Sequence, residues 1–500
     1  MASSVPIATN PRLRLLGAGP QISEAARPSY QRLSHNGFDR DHSRLVSYQD
    51  RRVLLSTSRW LYANIPAVEA AVNEQAEIVA GNLAVQFDGE DKAWGDAAEA
   101  WLGEHDRIAD IRGAPFSMQL IDHFVVVQSL RDGDFFIHLT SVGDEYPQLQ
   151  SIPAHRVRGD FAKAPKANDG PPEYADAFVD YTVRDGVVCN DWGRALAYMV
   201  WDDVQTSWRY IPAQDMVPCF CPRHADQLRG VPAMASSIIH WQDREEFLKF
   251  ELQGMKLAAS IALIESNETG GPPTEAGQLV AATNDPDTGA LLPATYGQQM
   301  LGGEVRYFAG KSGGKLEALV SDRPTQNQRE FVRDVARDAL AAMGWSIDFS
   351  LDPSRVGGAP HRSVVERINR TVKFRRDNLL FPVRRRIDGW RIAKAIKLGF
   401  LPPNDQWHSW RYTGAADLTA DARYSYDVAA GEISKGLTSV QRECARRGVE
   451  WEDMQDEQIE AERRLLEKCA IAKVNPDHVR QFASNSTQTF QPDANPAPAA

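Results

Sequence analysis

CFCPRHADQLRGVPAMASSIIHWQDREEFLKFELQGMKLAASIALIES runs from Cys219 to Ser266. Before it the chain reads as mixed helix and strand; within it the pattern changes. No proline follows Pro232 before Ser266, so residues 233–265 are compatible with one uninterrupted helix. Such a helix spans about 50 Å at 1.5 Å per residue, longer than a small core needs. A chain of 500 residues that contains it is expected to form two or more domains.

Upstream, Pro66 suits a first helical turn, and Val68, Val72, Ile78 and Val79 follow at roughly helical spacing. DAAEAWLGEH (96–105) reads as a short helix, and PFSMQLIDHFVVVQSLRDG (115–133) as an apolar helix ending near Gly133. DFFIHLT (134–140), AFVDYTV (177–183), LAYMVW (196–201) and WRYIP (208–212) read as strands, with turn signals in RDG and NDWG. Residues 50–225 are therefore expected to be α+β.

Downstream, residues 267–323 are rich in Gly, Pro, Asn and Asp, with short strand candidates such as EVRYFA (304–309). A second helix is expected from Pro324 to Gly344, so a small module is held between two helices. In that helix Arg329, Arg333 and Arg337 recur every fourth residue, and Glu330, Asp334 and Asp338 follow one position on. Phe331, Val335, Ala339 and Met343, with Val332, Ala336 and Leu340, form an apolar side. Two readings stay open: a solvated charged face, or a contact in which one subunit's arginines meet the next subunit's carboxylates in a ring. A loop rich in Gly and Pro follows, then a basic stretch. Arg362 to Lys397 holds 12 Lys/Arg against 3 Asp/Glu, a local net of +9 in a chain of net charge −11. Its partners are either DNA phosphates or carboxylates of the same or a neighbouring subunit; Val365, Ile368, Val372, Leu379 and Leu380 give it a buried side as well.

The acidic balance argues against a protein that coats nucleic acid nonspecifically. Five cysteines, Cys189, Cys219, Cys221, Cys444 and Cys469, form no framework, which points to a reducing compartment. No run of about 18 apolar residues predicts a membrane span, and residues 1–20 lack the apolar core of a signal peptide. Residues 1–45 read as a loosely held arm and 471–500 as a disordered tail. YFAGKSGGK (307–315) lacks the glycine that a phosphate loop needs, since Val305 stands in that place. Cys219, Cys221 and His224 make one tight cluster without a second, so buried strand cysteines are expected rather than zinc. His35, Asp39 and His42 read as a solvated loop, and no acid–base pair or nucleophile set stands out. No cofactor and no metal are expected.

Taken in order, SRWLYANIPAVEAAVNEQAEIVAGNLAVQ (58–86), LRDGDFFIHL (130–139), the 211–259 stretch IPAQDMVPCFCPRHADQLRGVPAMASSIIHWQDREEFLKFELQGMKLAA, AMGWSIDFSLDP (342–353) and EISKGLTSVQRECARRGVEWEDMQDEQIEAE (432–462) resemble the lambda-type portal proteins of tailed bacteriophages. The similarity runs from about Arg59 to Lys468; GAPHRS (358–363) departs from the family's Asn-Tyr-Ser-Ser-type stretch, keeping only Ser363.

The resemblance implies an α+β portal fold in a ring of twelve copies at one capsid vertex. Residues 46–232 and 363–430 would form the wing, 233–265 and 324–344 the stem helices, 266–323 the clip, 345–362 the tunnel loop and 431–470 the helical crown. Asp348, Ser350, Asp352, Arg355, Gly357, Gly358, His361 and Arg362 would lie on the tunnel loop, around DNA. Arg329, Glu330, Arg333, Asp334, Arg337 and Asp338 would be interface residues. The implied function is a non-enzymatic conduit for double-stranded DNA. The implied partners are the terminase large subunit, capsid or scaffold protein and head-completion or adaptor proteins, with no membrane. The implied location is the virion, and the host cytoplasm during assembly. The alternative is a DNA-processing enzyme of terminase type, a nuclease or ATPase.

Overall fold

The computed structural model describes residues 46–476 apart from 143–145, 167–173, 175–176, 204–205, 261–263, 267–298, 301–303, 306–314, 318–325, 351–357, 421, 448 and 450. Helix α1 (Tyr48–Asn64) opens on a capping box in which Ser47 and Asp50 each accept from the other's backbone amide at 3.2 Å. Helix α2 (Pro66–Ala80) starts at its proline and buries Val68, Val72 and Val79, as the spacing predicts. Strand β1 (Ala84–Phe87), α3 (Lys92–His105) and the apolar α4 (Met118–Arg131), capped by Ser117, follow. The main core gathers α2 and α4 with residues as distant as Met343 and Ile387.

Seven strands come next: β2 (Phe135–Val142), β3 (Tyr146–Pro153), β4 (Thr182–Arg184), β5 (Val187–Cys189), β6 (Ala195–Asp202), β7 (Ser207–Pro212) and β8 (Met216–Cys219). They make two antiparallel sheets, ordered β3-β2-β8 and β4-β5-β6-β7. Of the stretches read as strands, 134–140, 196–201 and 208–212 are strands over nearly their whole length. AFVDYTV is one only at its end, because residues 177–180 are turns. Gly186 (φ 79°) and Gly193 (φ 77°) supply the positive φ that the RDG and NDWG turns need.

Two glycines cross where the sheets meet the long helix. A Cβ on Gly230 would stand 1.8 Å from the Gly133 carbonyl oxygen, and one on Gly133 would stand 2.6 Å from the Val231 carbonyl carbon. The bare backbones let Arg229 reach Asp134 with both forks, Nε to Oδ2 at 2.6 Å and Nη2 to Oδ1 at 3.1 Å. The Gly230 amide also donates to Asp134, at 3.0 Å. Arg229 donates further to the carbonyls of Val157, Asp185 and Ala154. Both ions are buried: Arg229 is 2% exposed and Asp134 is inaccessible. Burial works against the Arg229 charge, but Asp134 and Asp185 outweigh it and raise its pKa.

Beyond this junction, 235–237 form a 3-10 turn and α5 covers Ile238–Ser260. The expected helix over 233–265 is therefore shorter at both ends. At the start, Ala233 is tied to the Leu130 carbonyl and Ala235 turns back on Pro232. At the far end, Ile264–Ser266 is strand β9. Strands β10 (Gln299–Met300) and β11 (Glu304–Val305) pair with each other, and β12 (Lys315–Glu317) pairs antiparallel with β9. Ser266 and Lys315, the described residues on either side of 267–314, are thus paired.

Helix α6 (Gln326–Ala341) lies on α5, with Phe247 and Phe331 rings edge-on at 6.0 Å and the Gln328 amide donating to Glu251 at 3.1 Å. The short α7 (Ile347–Ser350), α8 (Gly358–Arg375), a π-helical turn over Arg376–Leu380 and α9 (Phe381–Leu398) follow. Strand β13 (Trp410–Thr413) returns to pair with β1 in register Phe87↔Trp410. Helices α10 (Ala422–Ser434), α11 (Val440–Arg446) and α12 (Trp451–Ala472) close the described chain. The whole is α+β, helices carrying small sheets.

Replacing Arg229 by methionine leaves Asp134 buried without its counter-ion, an error that costs about 3–5 kcal/mol. Thermal or urea unfolding of Arg229→Met is expected to show that loss, and Gly230→Ala to show a loss of the same order, because its methyl meets rigid backbone. Wild-type stability in both would mean that the junction is not a keystone.

Candidate functional site

The turn that leaves α6 is built by Gly344. Its φ of 72° lets Trp345 N donate to Leu340 O at 3.1 Å while Gly344 N donates to Ala341 O at 2.9 Å, closing the helix end. Trp345 is buried, and its Nε1 donates to Glu74 at 3.0 Å and to the Ser350 hydroxyl at 2.6 Å. Ser350 in turn donates to Glu74. Asp348 pairs with Arg333. The descending leg of the expected tunnel loop is thus pinned to α2 and α6.

Sequence reasoning placed 345–362 in one loop, and here the structure differs. Asp348 and Ser350 stand on α7, and both are engaged with their own chain. Gly358, His361 and Arg362 stand in the first turns of α8. Pro360 suits that position, because amides of a first turn need no helical acceptor and its fixed φ is already helical. Asp352, Arg355 and Gly357 lie outside the described residues, as do 1–45, the YFAGKSGG run up to Gly314, and the tail from 477. Between the two helical anchors only residues 351–357 remain.

The charges of α6 are used within the chain. Arg333 serves Asp348, and Arg337 lies 3.1 Å from Asp334 and 3.9 Å from Asp338. Glu330 accepts from Gln326 at 3.1 Å, and Arg329 is exposed. The apolar side splits: Ala336, Ala339, Leu340 and Met343 enter the core, whereas Phe331 is 58% exposed. Beside it α5 exposes Ile239, Leu248, Phe250 and Leu252. Five large apolar side chains are exposed on this helix pair, and those of α5 lie on two opposite sides of the helix, Ile239 and Phe250 on one and Leu248 and Leu252 on the other. Sequence reading missed those of α5. The available signal was that apolar residues occur all round that helix, which implies cover on more than one side.

The basic stretch is divided: Arg376, Arg384 and Arg391 are buried, whereas Arg362, Arg367, Arg370, Lys373, Arg385, Arg386 and Lys397 are exposed. Arg376 donates to the carbonyls of Ile78, Val79 and Ala415 at 2.7–3.1 Å, capping the end of α2. Arg386 donates to Ala213 O at 2.5 Å. Arg384 faces Asp388, Asp106 and Asp122 at 3.3, 3.5 and 3.7 Å, and Arg391 donates to Asp106 at 2.6 Å. Of the readings left open, carboxylates of the same chain hold Arg370, Arg384 and Arg391, and backbone carbonyls, which neither reading named, hold Arg375, Arg376 and Arg386. Burial pushes Asp122 up to about 7, with Arg384 pulling the other way and Asp388 and Asp106 adding to the rise. Cys219 is buried at the end of β8, as expected, and Cys221 lies just beyond it.

The described residues thus give a helix pair on an α+β body, with several of its charges paired within the chain and apolar side chains left exposed. Residues 34–351 match the phage portal protein family, lambda type, and the chain belongs to that family. It is a portal protein, a structural component of the capsid vertex. The match stops short of the resemblance read beyond Leu351. No curated protein matches the chain in sequence. Similar solved chains include one from the virion of a native gene transfer agent particle, 12% identical, covering 82% of this chain and 99% of that chain at a TM-score of 0.44. Another comes from the neck of the empty particle computed with C6 symmetry, 12% identical, covering 80% and 94% at 0.44. A third, from the neck of the native particle computed with C12 symmetry, is 12% identical and covers the same shares at 0.43.

The raised pKa of Asp122 fixes a sign. A carboxylate whose folded pKa lies above its unfolded value loses stability as pH rises from about 4 to about 7. Asparagine mimics the protonated form, so Asp122→Asn is expected to gain on the wild type across that window and to hold a constant advantage above it. Chemical denaturation at pH 4.5, 6 and 8 measures this; a variant that loses ground with rising pH would show that Asp122 is ionised and stabilising.

Proposed function

We propose that this portal protein assembles into a ring of twelve copies whose channel carries double-stranded DNA into and out of the capsid. The observation that carries the reading is the set of large apolar side chains exposed on two sides of α5 and on α6. Rotational assembly covers them on every copy at once. In this reading 46–232 and 363–430 form the wing, α5 and α6 the stem, and 266–323 the clip. The segment between α7 and α8 forms the constriction, and 431–470 the crown. The clip docks the terminase large subunit during packaging and the head-completion or adaptor proteins afterwards, while the wing meets capsid or scaffold protein. The protein works in the host cytoplasm during assembly and then in the virion, and it neither hydrolyses ATP nor cuts DNA.

The buried arginines of the basic stretch, Arg376, Arg384 and Arg391, are bound within their own chain and are withheld from DNA. Each exposed cation that neutralises a phosphate adds salt-dependent affinity and hence drag.

Electron microscopy and mass measurement test the ring. Wild-type protein is expected to give rings with a central hole, and Phe250→Asp to give monomers, because a charge in an apolar contact costs several kcal/mol when desolvated. Compact monomers in the wild type would end the reading. Deleting Ser354–Gly357 is expected to spare the ring and to lower the DNA content of particles assembled with it. Full, stable genomes would show that the narrowest point lies elsewhere. ATP turnover that survives repurification and vanishes in Lys311→Ala would restore the enzymatic alternative.

A further inference from the structure

One face of α1 and the turn after β3 enclose a cleft of about 350 Å³. Tyr48, Arg52, Leu55 and Arg59 recur along it at helical spacing, and His155 and Arg158 line it from the turn. Four guanidiniums line the cleft, those of Arg51, Arg52, Arg59 and Arg158, against the single carboxylate of Asp185. That carboxylate is already taken. It accepts from Arg51, which is buried, and lies 3.6 Å from Arg229.

The other three cations are short of negative charge. Arg59 donates to Asp132 at 3.0 and 2.8 Å, but the same carboxylate accepts from Arg131 at 2.8 and 3.0 Å, so one anion serves two cations. Arg158 lies over the Trp201 ring at 4.8 Å, and Asp203, the carboxylate paired with it, is 3.8 Å away and 58% exposed. Arg52 is exposed, and no carboxylate among the described residues pairs with it; its guanidinium stands 5.8 Å from the centre of the Tyr48 ring. His155 adds a donor. Its Nδ1 stands 3.2 Å from Arg59 Nη2, and a guanidinium can only donate, so Nδ1 accepts and the neutral ring carries its proton on Nε2. Burial and the Arg59 charge hold His155 below the usual histidine range, which favours that neutral form. Guanidiniums that share a counter-ion or lie over a ring keep N–H groups for a further planar oxyanion.

We propose that this cleft takes an acidic segment of a protein partner, with a glutamate or aspartate carboxylate received by Arg52, Arg59 and Arg158. One folded copy suffices for the site, so it does not rest on the ring. The lining also carries Leu55, Ala154 and Val157, against which the methylenes of a glutamate side chain can lie, whereas a free inorganic phosphate gains nothing from them. Duplex DNA fits poorly, because exposed carboxylates flank the cations. Asp203 stands beside Arg158, and Asp160 lines an adjoining cleft that shares Tyr48, Arg51 and Asp185. A duplex lays rows of phosphates over a wide surface and would meet both, whereas one side chain enters between them.

Fluorescence anisotropy of a labelled glutamate decapeptide, titrated with the full chain at low salt, tests the site. The peptide is expected to bind, and a glutamine decapeptide not to. Arg52 and Ser56 are exposed positions of α1 that line the cleft, so their replacement spares the fold. Arg52→Glu removes a cation and Ser56→Glu sets the chain's own carboxylate in the cleft, and each is expected to weaken binding at least about tenfold. Arg367→Glu, the same charge change on exposed α8, is expected to leave binding unchanged. The bound peptide is expected to slow amide hydrogen exchange in 48–59 and 154–158. Equal weakening by Arg367→Glu would reduce the attraction to overall charge, and full binding by Arg52→Glu and Ser56→Glu would put it elsewhere; either overturns the site. Displacement of the peptide by equimolar inorganic phosphate would make the cleft a seat for small free anions. Tighter binding of a short DNA duplex, lost in Arg52→Glu, would make it a nucleic-acid contact. Each of these results would overturn the assignment to an acidic peptide.

Discussion

Everything on either side of residue 230 hangs on one buried ion pair. Arg229 and Asp134 meet where two glycine backbones touch, and neither side chain could reach the other if Gly133 or Gly230 carried a Cβ. The pair joins α4 and β2 to the start of the long helix. Through the Val157, Asp185 and Ala154 carbonyls it also gathers the second sheet. A buried pair is not by itself a source of stability, since desolvation offsets most of the attraction. Its use here is directional. It holds Pro232 and Ala233 against Leu130, so that α5 leaves the body along one fixed line. A helix that projects from a body is a lever, and a small error at its root is magnified at its tip.

The second constraint is how an acidic chain keeps a stretch of net charge +9. Arg384 and Arg391 are nearly inaccessible, and they gather Asp106, Asp122 and Asp388 from three helical segments. Arg376 and Arg375 instead end helices α2 and α6, where carbonyl oxygens are left without amides. Guanidinium suits both tasks, because it stays charged and its planar fork satisfies two or three acceptors at once. The arginines therefore tie together helices that also share one apolar core.

The helices and their order were legible because periodicity, proline and glycine report local backbone preference directly. Pro66 opened α2 where expected, and Gly344 closed α6 in the left-handed conformation. The strand β3 was not legible: Pro147, Gln148 and Gln150 hide it in a polar run, and only its pairing with β2 explains it. The five-residue excess in the expected 233–265 helix at its start comes from contacts with Leu130, a partner distant in sequence. The candidate site was legible by type and not by partner. Asp348 and Ser350 sit next to the expected loop, yet their partners, Arg333, Trp345 and Glu74, were set by tertiary folding. No spacing rule links Glu74 to Ser350.

The two legs of the 351–357 segment are held by different physics. The leg through α7 is anchored by a buried indole, a hydroxyl, a carboxylate and an ion pair, all short-range and directional. The leg through α8 is anchored by apolar burial of Val365, Ile368 and Val372, which is tolerant of small sliding, and by Asn369, whose amide and carbonyl pair with the backbone of Leu418. One side of the segment is therefore held by directional bonds, which fix an angle as well as a distance, and the other by apolar burial, to which one side-chain amide adds the only directional bonds named.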